Sequence, residues 1–266
     1  MLGFFYFEST IQGCNGNPFV FLGEDFLTQA NQQQDFIDTL PAPPNLIARP
    51  GYNLRADTSI DTNNVAVFGQ STWNITDAWQ VTCGLRWTDE KKDADLFTGI
   101  SSTAMSASIP PAYFSFLTTV STPIDHSFTR STDNVNWLVK TRYNIQDDTM
   151  LYASVATGSK SGGFNTVNGT AAQREFDDEE TISYEVGVKS TLLDSRLRVN
   201  AALFSTEIED YQFQQQLPTG IGSIVSNQAE VETQGLDLEI QALPLQNLTL
   251  GSNLLYMDKY EITAGP

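Results

Sequence analysis

The sequence predicts an all-β chain and, within that class, an antiparallel transmembrane β-barrel. Three observations predict it. Apolar and polar residues alternate with a period of two over long runs. Tight turns alternate with long polar connections, so one end of the sheet carries turns and the other open loops. The alternating runs are about ten to fourteen residues long, more than soluble sheets use and enough for a tilted bilayer crossing. In hydrocarbon every backbone N–H and C=O must pair, so a spanning sheet has to close.

The clearest unit runs from Arg130 to Asn165. Val135, Trp137, Val139, Thr141, Tyr143 and Ile145 take one parity; Asn136, Lys140, Arg142 and Asn144 take the other, with Leu138 as the exception. A turn at Gln146-Asp147-Asp148 leads into Met150–Val155, and the strand ends in the polar tip Ser161-Gly162-Gly163-Phe164-Asn165. Taken in order, residues 2–8 are aromatic and β-prone. Residues 9–61 read as a loop, with one short helix expected over Gln29–Asp35. Val65 to Ile75 and Trp79 to Trp87 form the next hairpin, turning at 74–78, and 89–129 reads as a second long loop with the only histidine, His126. After an acidic loop over 166–180, Ile182, Tyr184, Val186 and Val188 alternate with Ser183, Glu185, Gly187 and Lys189. A turn at 193–195 opens the strand from Arg196 to Tyr211, and 212–222 is a shorter loop. In the last hairpin Leu236, Leu238 and Ile240 oppose Asp237 and Glu239, and a turn at 244–247 precedes Leu248 to Tyr256. About nine strands result.

Trp73, Trp79, Tyr143 and Tyr152 flank the short turns, as an interfacial aromatic girdle would; core aromatics of a soluble β-sandwich are the alternative. Arg86, Lys140, Arg142, Glu185, Lys189, Arg198, Asp237 and Glu239 recur on the opposite face, in water or lining a lumen. The 266 residues carry 32 acidic and 14 basic side chains, net −18, which argues against nucleic acid as a partner. Cys14 and Cys83 lie far apart with no metal-ligand spacing; Cys83 sits on an apolar parity, buried or lipid-facing. No apolar run approaches the roughly 18 residues of a transmembrane helix. The opening residues lack a basic region ahead of their apolar stretch and make a poor signal peptide; they read as the end of a strand that starts upstream.

Leu151 to Asn165, a Tyr-Ala-Ser strand running into Lys160-Ser161-Gly162-Gly163-Phe164-Asn165, resembles a barrel motif of TonB-dependent outer-membrane receptors, with Ser159 where the family often has phenylalanine. Val67-Phe68-Gly69-Gln70 with Leu85-Arg86-Trp87-Thr88, Glu185-Val186-Gly187-Val188-Lys189, and Gly235-Leu236-Asp237-Leu238-Glu239 resemble three further stretches of that family. Tyr152, Gly158, Lys160, Ser161, Gly162, Gly163, Phe164 and Asn165 carry the motif. The resemblance implies a partial barrel of the 22-stranded receptor type, spanning 1–266, in the outer membrane of a Gram-negative cell. It implies energy-coupled uptake of an iron–siderophore or similar chelate, with haem, cobalamin and oligosaccharides as other family substrates. The partners it implies are outer-membrane lipid, a plug domain, the remaining barrel strands, and the TonB–ExbB–ExbD complex acting through an N-terminal TonB box. This stretch shows neither plug nor TonB box nor a closing aromatic strand, so it is expected to be an internal part of such a barrel with two unpaired edges.

No enzyme constellation and no cofactor are expected. One histidine rules out a multi-histidine metal cluster, and no nucleophile elbow is present. The run Asp177-Asp178-Glu179-Glu180 reads as a solvated loop rather than a glycosidase pair, and Gly162-Gly163 as a tight turn at the rim. Loops 9–61, 89–129 and 162–180 would lie outside the cell, where Tyr113, Phe114, Phe116 and Phe164 are the candidate ligand contacts. The charged residues of the opposite face would meet the plug. The acidity favours a neutral or cationic chelate. The competing function is that of a soluble or secreted all-β carbohydrate-binding or adhesion module.

Overall fold

The computed structural model describes residues 1–13, 52–102, 124–166, 169–216 and 223–264. The helix expected over 29–35, Cys14, and the candidates Tyr113, Phe114 and Phe116 lie outside them. The described residues form one nine-stranded antiparallel sheet: β1 (Leu2–Gly13), β2 (Tyr52–Asn74), β3 (Trp79–Ser102), β4 (Ile124–Gln146), β5 (Thr149–Lys160), β8 (Glu179–Leu192), β9 (Leu197–Gln216), β10 (Ser223–Leu245) and β11 (Leu248–Ala264), each paired with its neighbours in that order. Between β5 and β8 the chain makes a small second sheet, β6 (Gly163–Phe164) with β7 (Glu175–Phe176), and one 3-10 turn, Ala171–Gln173. β1 and β11 are the sheet's edges.

The four tight connections fall at one end, where the sequence places them. At the first, Trp79 O accepts from the amides of Ile75 and Thr76. In the third, Leu193, Asp194 and Ser195 all hold positive φ, and the Arg196 guanidinium anchors that turn by donating to the carbonyls of Leu243 and Pro244 in the next hairpin.

The register decides which side chains share a face. One row across the sheet is Trp87–Val135 with Val67 and Phe4; another is Thr141–Ala153–Val186–Leu203–Leu236–Tyr256. This outer face is apolar and uncovered: Leu203 is 58% exposed and Val186 52%. On the other face Lys140–Ser154–Glu185–Phe204–Gly235 form one row and Arg142–Tyr152–Gly187–Ala202–Asp237 the next. The small sheet and its flanks pack on this second, inner face.

The strands are longer than their apolar pattern. β2, β3, β4 and β10 run to 23 or 24 residues, so 52–61, 89–102 and 124–129, expected as loop, are strand. The reason is an exchange of polarity. Beyond Trp87 the outer face of β3 becomes Asp89, Lys91, Asp93 and Asp95, tied to its neighbours through Thr129 Oγ1 to Asp93 at 2.7 Å and Ser127 Oγ to Asp95 at 2.5 Å. The inner face, past Glu90 and Lys92, turns apolar at Ala94 and Leu96, which are buried with Ile60, Ile124 and Phe128 packed against them. Alternation continues with its sign reversed, so a search for apolar residues on one parity loses the strand.

Tyr152 is a second correction. It is buried on the inner face and so does not belong to the girdle; Trp73, Trp79 and Tyr143 stand exposed on the outer face. Tyr152 lies over Gly187, its cross-strand partner, where a Cβ would come within 2.7 Å of the ring. Phe204 covers Gly235 in the same way, an aromatic filling the gap beside each strand glycine. Gly187→Ala should therefore displace Tyr152 and cost about 1–3 kcal/mol. Gly251→Ala, with nothing within 4 Å of a Cβ, should stay within about 0.5 kcal/mol. Urea midpoints of the detergent-solubilised protein compare the two.

Candidate functional site

Two constellations on the inner face hold the residues singled out in the sequence. The first is the tip between β5 and β8. Gly163 and Phe164 pair with Phe176 and Glu175, and Asn165 N donates to Arg174 O at 2.7 Å, so the segment doubles back on itself. Gly162 is needed for packing: a Cβ there would strike the backbone of Phe176 and Asp177 and the Arg130 Nε. Phe164 is buried against Ala94 and Leu96, with its ring 5.9 Å from that of Phe128. The structure thus gives Phe164 a packing position rather than the exposed one that a ligand contact requires.

Polar bonds hold the tip to strands on both sides of it. From β3, Lys92 Nζ donates to Ser161 Oγ at 2.9 Å and to Gly162 O at 2.6 Å; Glu90 accepts from Ser161 and pairs with Lys92. From β4, the Arg130 guanidinium reaches Glu175 at 2.8 Å and Asp177 and Asp178 at 3.0 Å. From β9, the Gln212 side-chain amide donates to the carbonyls of Lys160, Ser161 and Asp177. From β10, Val225 exchanges two hydrogen bonds with the Asn165 side chain, at 2.8 and 2.9 Å, and Asn227 donates to Asp177 O. The tip is a bracket tied to both flanks of the β5–β8 pair.

Asp178 is its centre. Its carboxylate accepts from Thr132 Oγ1, Asn134 Nδ2, Gly162 N and Arg130. Burial pushes the carboxyl up, but those four donors outweigh it and hold it down at about 2. The run 177–180 is therefore only half solvated: Asp177 and Glu180 stand exposed, whereas Asp178 is nearly enclosed and Glu179 is buried and accepts from Gln212 N. Arg130 shows in the sequence as a cation on the polar parity of its strand, and Asp178 as one acid in a run; their meeting depends on the folded-back tip. Lys160 stays exposed, 3.8 Å from Glu179, and Gly158 lies within the wall strand β5.

The second constellation is the charged inner wall toward the tight turns. Lys140 and Lys189 place their ammonium groups 5.3 and 5.4 Å from the centre of the Tyr152 ring. Arg86 lies over Phe5 and Phe68 at 5.7 and 5.8 Å, and Asn200 Nδ2 donates to Glu239 at 2.9 Å. Arg142, Arg198 and Asp237 share this face by register. Among the described residues no group of three or more His, Cys, Asp or Glu is placed to hold a metal ion.

Sequence comparison decides the family. The model of the family described as TonB dependent receptor-like, beta-barrel, matches residues 4–265. The chain belongs to that family. It is a receptor family rather than one of enzymes. The chain is 28% identical over 188 residues to the catecholate siderophore receptor Fiu of Escherichia coli K12, covering 65% of this chain and 24% of Fiu. It is 25% identical over 208 residues to the pesticin receptor of Yersinia enterocolitica, covering 78% of this chain and 27% of that one. The crystal structure of the ferric yersiniabactin uptake receptor FyuA from Yersinia pestis superposes with a TM-score of 0.62 at 21% identity, over 80% of this chain and 29% of FyuA. The siderophore receptor PiuA from Acinetobacter baumannii gives 0.55 at 21%, over 82% and 27%. The chain spans about a quarter of the length of the curated relatives it matches.

The position of Asp178 fixes a pH dependence. Its folded value lies below the ordinary 3.8, so its contribution is complete above about pH 4 and is lost as the pH falls through about 2. The Gly162 amide, which donates to Asp178, should be strongly protected at neutral pH and lose that protection in the acid window, judged against the intrinsic exchange rate at each pH. Asp178→Asn should speed its exchange at neutral pH by an amount equivalent to about 1–3 kcal/mol and flatten the acid transition. Hydrogen exchange read by mass spectrometry checks both.

Proposed function

We propose that this chain is a sector of the wall of an outer-membrane TonB-dependent receptor that takes up an iron–siderophore or similar organic chelate. The observation that carries the proposal is the reversal of polarity along single strands. Toward the tight turns the outer face is apolar and the inner face charged, as a wall between lipid and a hydrated lumen needs. Past Trp87 the outer face is acidic and hydroxylic and the inner face packs the tip, as a wall standing above the bilayer needs. The apolar stretch on β3, Trp79 to Trp87, has the length of one tilted crossing.

In this reading the wall belongs to a 22-stranded barrel, and β1 and β11 pair with further strands of it. Arg86, Lys140, Arg142, Glu185, Lys189, Arg198, Asp237 and Glu239 face the plug domain. The tip braces the wall where substrate enters, the loops that contain Tyr113, Phe114 and Phe116 contribute to capture, and the TonB–ExbB–ExbD complex supplies energy. The names of Fiu, FyuA and PiuA support a ferric siderophore as the substrate class. A soluble carbohydrate-binding sandwich would cover its apolar face with a second sheet; among the described residues nothing covers it.

Single cysteines test the orientation. Labels at Val139 and Leu203 should be quenched by lipid-soluble agents, and labels at Thr82 and Glu239 by water-soluble ones; the reverse pattern would overturn the membrane assignment. Leu203→Arg should destabilise the protein in vesicles by about 2–4 kcal/mol. Cells whose only iron receptor is the encoded protein should accumulate radio-iron from a siderophore panel in a TonB-dependent manner. Equal uptake without TonB would refute energy coupling.

A further inference from the structure

The wall has one opened seam. β4 pairs with β3 as far as Ile124, and β5 with β8 as far as Lys160, yet the β4–β5 ladder ends at Leu138 opposite Ala156. Immediately above, side chains replace backbone pairing: Trp137 N donates to Thr157 Oγ1 at 2.9 Å, and Asn136 Nδ2 to Ser159 Oγ at 2.9 Å. Because Trp137 aims its N–H toward β5, alternation sends the backbone groups of Val135, Asp133, Ser131 and Thr129 to the same side. Among the described residues those groups meet no backbone partner across this edge. An unpaired edge of this kind is a template for another strand.

A cleft of about 390 Å³ lies along the seam. Val135, Trp137 and Ile182 supply apolar lining, and its titratable groups are Asp133, Glu180, Glu207 and Glu209, with no cation among the lining residues. By register the carboxylates stand on the outer face. On the inner side the tip closes the seam, with Asp178 bonded to Thr132 and Asn134. An incoming strand therefore meets a bonding edge at its side and four carboxylates on one face.

We propose that the upper edge of β4 docks an extended cationic peptide segment by strand addition. The backbone of the segment pairs with Thr129 to Val135, and alternate Lys or Arg side chains reach Asp133, Glu180, Glu207 and Glu209. Main-chain bonds give affinity and the alternate side chains give selectivity. The site is separate from the uptake route, so its failure leaves the uptake proposal untouched.

The test uses the full encoded protein in detergent and a fluorescein-labelled Lys-Thr-Lys-Thr-Lys-Thr peptide, followed by anisotropy. Saturable binding is expected, with the Glu-Thr counterpart silent. N-methylation of one alternate set of amides should abolish binding, and methylation of the other set should leave it. The pair Glu207→Gln and Glu209→Gln should weaken binding at least about tenfold in protein that keeps its heat-modifiable mobility. Independently of any variant, the amides of Ser131, Asp133 and Val135 should exchange rapidly in the free protein and slow when peptide is added. Absent binding, equal binding of both methylated peptides, or exchange unchanged by peptide would each overturn the proposal.

Discussion

The antiparallel ladder, which among the described residues opens between β4 and β5 above Leu138, is the constraint on which everything else in this molecule depends. Apart from the sheet edges β1 and β11 and the seam above Leu138, the strands of the main sheet satisfy their backbone through their neighbours, with register shifts confined to β4, β9, β10 and β11. Once the backbone is committed, the side-chain period of two fixes two faces for the whole sheet. The inner row from Arg142 to Asp237 and the outer row from Thr141 to Tyr256 are consequences of that single register. The protein has little core of the ordinary kind; among the described residues eight apolar side chains are buried, several of them beneath or beside the tip.

The tip converts this thin sheet into something thicker at one end. Sheets without a second layer leave one side of every strand without packing partners. Here residues 161–178 supply a local second layer, held by charge-assisted bonds from Lys92 and Arg130 rather than by apolar area alone. Asp178 accepts four donors from β4 and the tip itself, so the carboxylate cements the chain reversal that Gly162 makes sterically feasible. The β4–β5 ladder ends at Leu138 opposite Ala156, while β5 stays paired with β8 to Lys160, where the tip departs.

Much of this was legible in the sequence. The tight turns, the strand order and the common face of Arg86, Lys140, Arg142, Glu185, Lys189, Arg198, Asp237 and Glu239 follow from alternation, because parity survives whatever the strands pack against. The extent of the strands did not follow. Asp89 to Ser102 reads as loop when apolar residues on one parity are sought, yet polar cross-strand bonds carry the ladder on. Tyr152 was misplaced for a related reason: proximity to a turn suits a girdle, but its even position puts it opposite Gly187 and inside.

By itself the sequence determined the class of fold, the handful of tight turns and which residues share a face, since each is a local property of a chain with a two-residue repeat. Only the tertiary structure decided that Phe164 is packing, that Asp178 and Arg130 meet across 48 residues, and that the wall parts above Leu138. Those outcomes depend on where a folded-back segment comes to rest against strands distant in the chain, and no periodicity encodes that position.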